Sequence, residues 1–149
     1  LQKTLASEGP FDVIVVATQP VDDLAKAGKL VAGSQAKAVR GGIAVAVRES
    51  AAKPDVSTPE ALKAAVLAGK EAVAKGTYEL GFFNASEAEA PGCVIAGLVP
   101  QSLQQYTNYD AGVLADAAQK DAGGAFVKFL TGKAAAERWK AARMEPAGM

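Results

Sequence analysis

The chain has no histidine and a single cysteine, Cys93. Without histidine no Ser–His or Cys–His nucleophilic pair can form, so that route to covalent catalysis is excluded and no catalytic residue is assigned. The same two shortages prevent the usual zinc and transition-metal ligand sets, and neither a metal nor a cofactor is expected. A lone cysteine also forbids an internal disulfide, which suits cytosol and periplasm equally. Cys93 opens the apolar run Cys93-Val94-Ile95-Ala96-Gly97-Leu98-Val99, where a buried, inert thiol is expected. Excess charge of either sign is lacking too: 16 Lys plus Arg balance 16 Asp plus Glu. No net field gathers nucleic acid or an anionic membrane, and nucleic-acid binding is not expected. Lys128, Lys133, Glu137, Arg138 and Lys140 mix both signs and read as a solvated helix face. No apolar stretch reaches the roughly 18 residues of a membrane span, so the chain reads as soluble. Leu1-Gln2-Lys3-Thr4 has neither a methionine start nor a signal-peptide pattern, which points to processing or to a fragment.

What is present is a globular composition. The 149 residues, 50% hydrophobic and 21% charged, are enough for one domain or two small lobes around a packed core. Phe11 to Ala17 is a β-branched run between Gly9-Pro10 and Gln19-Pro20 that reads as a strand buried on both faces. Pro20 can open the next helix, with Gly28 as its left-handed stop. Ile43 to Val47 reads as a second strand after the flexible pair Gly41-Gly42. In Ser57-Thr58-Pro59-Glu60 either Ser57, through a capping box with Glu60, or Thr58, ahead of a first-turn Pro59, starts a helix. Gly69 is expected to break that helix, with another turn or two to Lys75.

Tyr78 to Phe83, Cys93 to Val99 and Asp110 to Leu114 are further strands, with a turn at Pro91-Gly92. Asp121 is expected to cap a helix with Phe126, Phe129 and Leu130 on one, apolar side, and Gly132 divides it from a last helix anchored by Trp139. Alternating strands and helices predict an α/β fold with mainly parallel sheets flanked by helices. In such sheets ligands collect at the carboxyl ends of strands, here Thr18-Gln19, Asn84-Ala85-Ser86 and Tyr106 to Asp110.

Several segments in order resemble the periplasmic solute-binding proteins of ABC transporters, of the molybdate-binding type. They are Phe11 to Val16 followed by Val21 to Leu30, Arg40-Gly41-Gly42-Ile43 through Val47, and Lys53-Pro54-Asp55 through Leu62. Gly76 to Phe82, Ser86-Glu87, Leu98-Val99-Pro100, Gln105 to Tyr109, Ala125 to Thr131 and Met144-Glu145-Pro146 continue the match. The resemblance implies a type II periplasmic-binding-protein-like fold of two small lobes. Residues 1–39 and 110–149 would form the first, and residues 40–109 an abbreviated second. It further implies a periplasmic or extracellular protein that captures a small anion, a molybdate-like oxyanion or small organic acid, for the membrane component of an ABC transporter. Relatives carry an amino-terminal strand and helix with serine-bearing ligand loops that nothing before Leu1 supplies here. Relatives also insert a strand and helix near Leu67 to Lys75.

Oxyanions need donors of fixed direction, which helix starts and hydroxyls provide. Asn84, Ala85 and Ser86 have that composition, although Ser86 can equally cap a helix from Glu87. Tyr109 matches the family tyrosine at the return crossover, with Tyr106 beside it. Either ring can instead pack in the hinge. Thr18 closes the list of ligand candidates. Arg40 can reach an anion but suits a surface salt bridge. Two other functions are set against solute capture. One is a shortened, self-associating module with a vestigial cleft, a homodimer formed through truncated edges. The other is an enzyme pairing Asp110 with Glu87, for which no catalytic spacing is visible.

Overall fold

A computed structural model describes residues 11–74, 80–88 and 91–147. The readings at residues 1–10, at Lys75 and at Gly76 to Glu79 lie outside the described residues. The chain forms β1 (Val13–Ala17), α1 (Thr18–Lys26), β2 (Ala36–Arg48), α2 (Pro59–Ala74) and β3 (Leu80–Asn84). It continues through β4 (Cys93–Leu98), β5 (Tyr106–Val113), α3 (Lys120–Leu130), α4 (Lys133–Ala141) and β6 (Met144–Pro146). The architecture is α/β, with strands hydrogen-bonded in the order β1-β5-β2-β3 and with β4 and β6 also paired to β2. Two compact units are present: residues 1–40 with 107–149, and residues 41–106.

In the first unit β1 and β5 pair antiparallel, from Val13 opposite Val113 to Ala17 opposite Tyr109. The chain turns directly into α1, which buries Val21 and Leu24. It stops where predicted, at Gly28, whose φ of +68° lies in the left-handed region open to glycine. The core joins Ile14, Leu24, Leu30, Val39, Val113, Val127 and Leu130, each large aliphatic contributing about 1.5–3 kcal/mol by leaving water. Trp139 anchors α4, donating from Nε1 to the Leu130 carbonyl at 2.9 Å. The start of β2 belongs here as well, since Ala147 N donates to Ala38 O at 3.2 Å beyond β6. Arg40 makes the expected surface salt bridge, to Glu145 at 2.6 Å.

In the second unit the rest of β2 is central, antiparallel to β3 on one side and to β4 on the other. Strand alternation sends Ala44 and Ala46 to a cluster with Ala85 and Ala88, and Val45 to a second cluster with Val56, Leu62 and Val99. β2 runs 13 residues, through Gly41-Gly42. The Gln104 side chain acts there as a strand neighbour: its Oε1 accepts from Ile43 N at 2.6 Å, and its Nε2 donates to the Ile43 and Val99 carbonyls at 3.0 and 3.1 Å. A Cβ at Gly42 would meet that amide at 3.1 Å. Thr58 is the cap of α2, its Oγ1 accepting from Ala61 N at 3.1 Å. Ser57 turns to Asp55 instead, donating from N and Oγ to Oδ1 at 2.9 and 2.7 Å.

Several expectations are corrected. The registered pairs β1·β5, β2·β3 and β2·β4 are antiparallel where mainly parallel pairing was predicted, because a short apolar run carries no mark of its direction; nor is β1 buried on both faces, since Val15 is exposed. α2 continues through Gly69 to Ala74, as one glycine costs a helix only about 1 kcal/mol. Asp121 sits in the first turn of α3 and the cap is Gln119, whose N donates to Asp12 Oδ1 at 2.8 Å. Phe126 and Phe129 are 48% and 43% exposed. Of the expected apolar side only Leu130 is buried, joined by Gly123 and Val127, because the bare Gly123 backbone lies so close to Val13 and Val113 that a Cβ would meet them at 3.1–3.4 Å. Cys93 is exposed at the start of β4, a strand that is half-buried along its middle and exposed again at Leu98, so that only Val99 of the apolar run reaches the core.

Candidate functional site

The β1·β5 register brings the first unit's candidates together. Ala17 lies opposite Tyr109 and Val16 opposite Asp110, so Thr18, the first residue of α1, comes against Asn108. Its Oγ1 donates to Asp110 Oδ1 at 2.7 Å and approaches the Asn108 carbonyl at 3.3 Å. Asp110 is 3% exposed, and a buried carboxylate is costly unless it is hydrogen-bonded. Its second oxygen meets that need, accepting from Gln35 Nε2 at 2.9 Å, while Gln35 also donates to Asp22 Oδ1 at 2.7 Å. No buried side-chain N or O among the described residues lacks a partner.

Beside this network lies a cavity of about 210 Å³ lined by Thr18, Lys37, Val39, Asn108, Tyr109 and Asp110, with Ala147 at its edge. Ligand clefts of roughly 300–1,000 Å³ suit drug-sized molecules, so this space fits a smaller solute. α1 starts at the wall without a side-chain cap, and a helix start favours negative charge. The Tyr109 ring packs against the first unit's core. Among the described residues Lys37 makes no ion pair and the Tyr109 hydroxyl has no hydrogen-bond partner.

The other candidates belong to the second unit. Asn84 ends β3 and residues 85–87 form a turn, so Ser86 starts no helix. The turn closes because Glu87 N donates to Asn84 O at 2.8 Å, and the N–H of the buried Ala85 is committed to Gly42 O at 2.8 Å. Tyr106 opens β5 and donates its hydroxyl to Gln101 Oε1 at 3.1 Å. A second cavity in this unit, about 300 Å³, is lined by Ala46, Val47, Leu80, Phe83 and Cys93, with Arg48 as its charged member.

Sequence reasoning passed over Gln35 and Lys37, and it took Asp110 as a paired acid and as the end of the Tyr106 to Asp110 region, not as a ligand candidate. The signal was available for Asp110, a charge opening the otherwise apolar Asp110-Ala111-Gly112-Val113-Leu114; Gln35 and Lys37 flank the start of β2 at Ala36, seven residues before the strand expected at Ile43.

A family model described as bacterial extracellular solute-binding protein matches residues 63–144. The chain belongs to that family. Aconitate isomerase from Pseudomonas sp is 25% identical over 183 aligned residues, covering 95% of this chain and 70% of that protein. Among solved structures, a substrate-binding domain from Clostridium difficile assigned to a molybdenum ABC transporter superposes with a TM-score of 0.68 at 15% identity, over 99% of this chain and 82% of that one. The Azotobacter vinelandii periplasmic molybdate-binding protein gives 0.61 at 18% identity, over 95% and 81%. The sulfate-binding protein of Mycobacterium tuberculosis gives 0.63 at 15%, over 97% and 72%. These likenesses fix the fold of this solute-binding protein as that of periplasmic binding proteins.

Proposed function

We propose that the protein captures a small anionic solute outside the cytoplasm, a molybdate-like oxyanion or small organic acid, and delivers it unchanged to the membrane component of an ABC transporter. The two compact units are read as the two lobes of the family fold. The observation that carries the reading is the cavity at the start of α1, where Thr18, Asn108, Tyr109 and Lys37 line a space of about 210 Å³ in a chain of the solute-binding family. Family membership favours capture over a self-associating module with a vestigial cleft. Turnover is not part of the reading, because Asp110, the carboxylate in the wall, is held by Thr18 and Gln35 and is poorly placed to take a proton from a substrate.

Titration calorimetry with molybdate, tungstate, sulfate, phosphate and small carboxylates tests the reading, and at least one is expected to bind. Silence across the panel from correctly folded protein would remove it. The aconitate isomerase relative makes a second measurement useful: proton NMR of either aconitate isomer incubated with the protein is expected to show no conversion.

A further inference from the structure

A hydroxyl carries one proton to donate. Thr18 gives that proton to Asp110 Oδ1 at 2.7 Å, with the Asn108 carbonyl as a longer alternative at 3.3 Å. It therefore has no proton left for a bound oxyanion, and what it offers to the cavity is a lone pair. The Asp110 carboxylate is likewise an acceptor. It has about four lone-pair sites, and the described bonds to it come from Thr18 and Gln35. An acceptor-only dianion placed here would meet, on the Asp110 and Thr18 side, a buried negative wall that offers it no donor to offset the repulsion. Lys37 has the reverse character, with three donors and no acceptor, and it is exposed on the same cavity.

We propose that the cavity takes a small organic acid bearing a hydrogen-bond donor, a hydroxyl or ammonium, next to its carboxylate. The carboxylate pairs with Lys37, and the donor is accepted by Asp110 and Thr18. The inference rests on the solute-capture reading and sharpens it. Molybdate and sulfate satisfy only the Lys37 half of the site, as does a carboxylate without a neighbouring donor. A 2-hydroxy or 2-amino acid of a few carbons satisfies both halves within about 210 Å³.

Calorimetry on the whole chain with matched pairs tests this: lactate and alanine against propionate, malate against succinate, and molybdate as the oxyanion. At least one donor-bearing acid is expected to bind about tenfold more tightly than its donor-free match, the gain from one hydrogen bond to a charged group. Lactate against alanine separates hydroxyl from ammonium. Lys37→Gln is expected to weaken a matched pair about tenfold each while keeping their ratio. Asp110→Asn is expected to bring that ratio close to one. Should Asp110→Asn fail to fold, the wild-type ratios and Lys37→Gln decide. Equal affinity within every matched pair, tighter binding of molybdate than of every donor-bearing acid, or indifference to Lys37→Gln overturns the inference while leaving solute capture standing. Silence towards every compound overturns both.

Discussion

In the first unit Leu24, Leu30, Leu130 and Val127 are buried with Ile14 and Val113, and the charged Asp110 is enclosed beside them. In the second, alanines at positions 44, 46, 85 and 88 make up one buried cluster, while Phe82, Phe83, Leu98 and Leu103 are 48–54% exposed. The first unit thus gathers its buried aliphatics into one large cluster, whereas the second divides a smaller core between the alanines and a separate cluster of Val45, Val56, Leu62 and Val99. The difference bears on the site. A thick aliphatic core lowers the local dielectric, which strengthens the hydrogen bonds to Asp110 and raises the cost of leaving it without them. A rigid polar network is therefore best sustained in the first unit.

The sharpest way to break this contrast is to truncate one large residue in each unit and follow urea unfolding through Trp139 fluorescence. Leu24→Ala, at a side chain 4% exposed, is expected to cost about 2–5 kcal/mol, from lost transfer energy and the cavity left behind. Phe82→Ser, at 48% exposure, should stay within about 0.5 kcal/mol. A comparable loss at Phe82 would mean that the aromatic edge of the second unit is covered in solution.

Glycines give a finer test with opposite signs. A Cβ at Gly97 in β4 would come within 2.7 Å of Val56 Cγ2, and Val56 is 3% exposed. Gly97→Ala should therefore cost about 1–3 kcal/mol as overpacking. At Gly124, on the exposed side of α3, a Cβ meets nothing within 4 Å. Gly124→Ala should stabilise by about 0.5–1 kcal/mol, through helix propensity alone.

How far the sequence could be read follows from the same packing. β1, the Gly28 stop and the break at Gly132 were legible because β-branched runs and glycines act locally. Strand direction was not, since Val13 to Ala17 would look the same beside a parallel or an antiparallel neighbour. The buried face of α3 was misread because Phe126 and Phe129 are the largest apolar residues there, whereas the contact line is drawn by Gly123. At the site, Thr18 could be named from its place at the end of β1, and Tyr109, which lies within β5, only from the family tyrosine it resembles. The network that binds Thr18 to Asp110, and Asp110 to Gln35, spans separations of 92 and 75 residues, and no local pattern encodes partners so far apart.

The smallest expected effect lies in the second unit, at the turn before α2. Ser57 donates to Asp55 from its hydroxyl and from its backbone N–H, and these bonds, the hydroxyl's first, hold the Asp55 carboxyl below its ordinary value of 3.8. Because the folded value is depressed, the turn's contribution to stability is present above pH 3.8 and is lost as the pH falls through the folded value. Asp55 is fully exposed, so water screens the effect, and the change is better read at the carboxyl than in a melting curve. Carbon-detected NMR titration should place the wild-type midpoint below 3.8. Ser57→Ala removes the larger cause and keeps the N–H, so its midpoint should rise towards the ordinary value without reaching it. Identical midpoints in the two proteins would show that the Asp55 turn is not held in solution, and that the entry to α2 rests on the Thr58 cap alone.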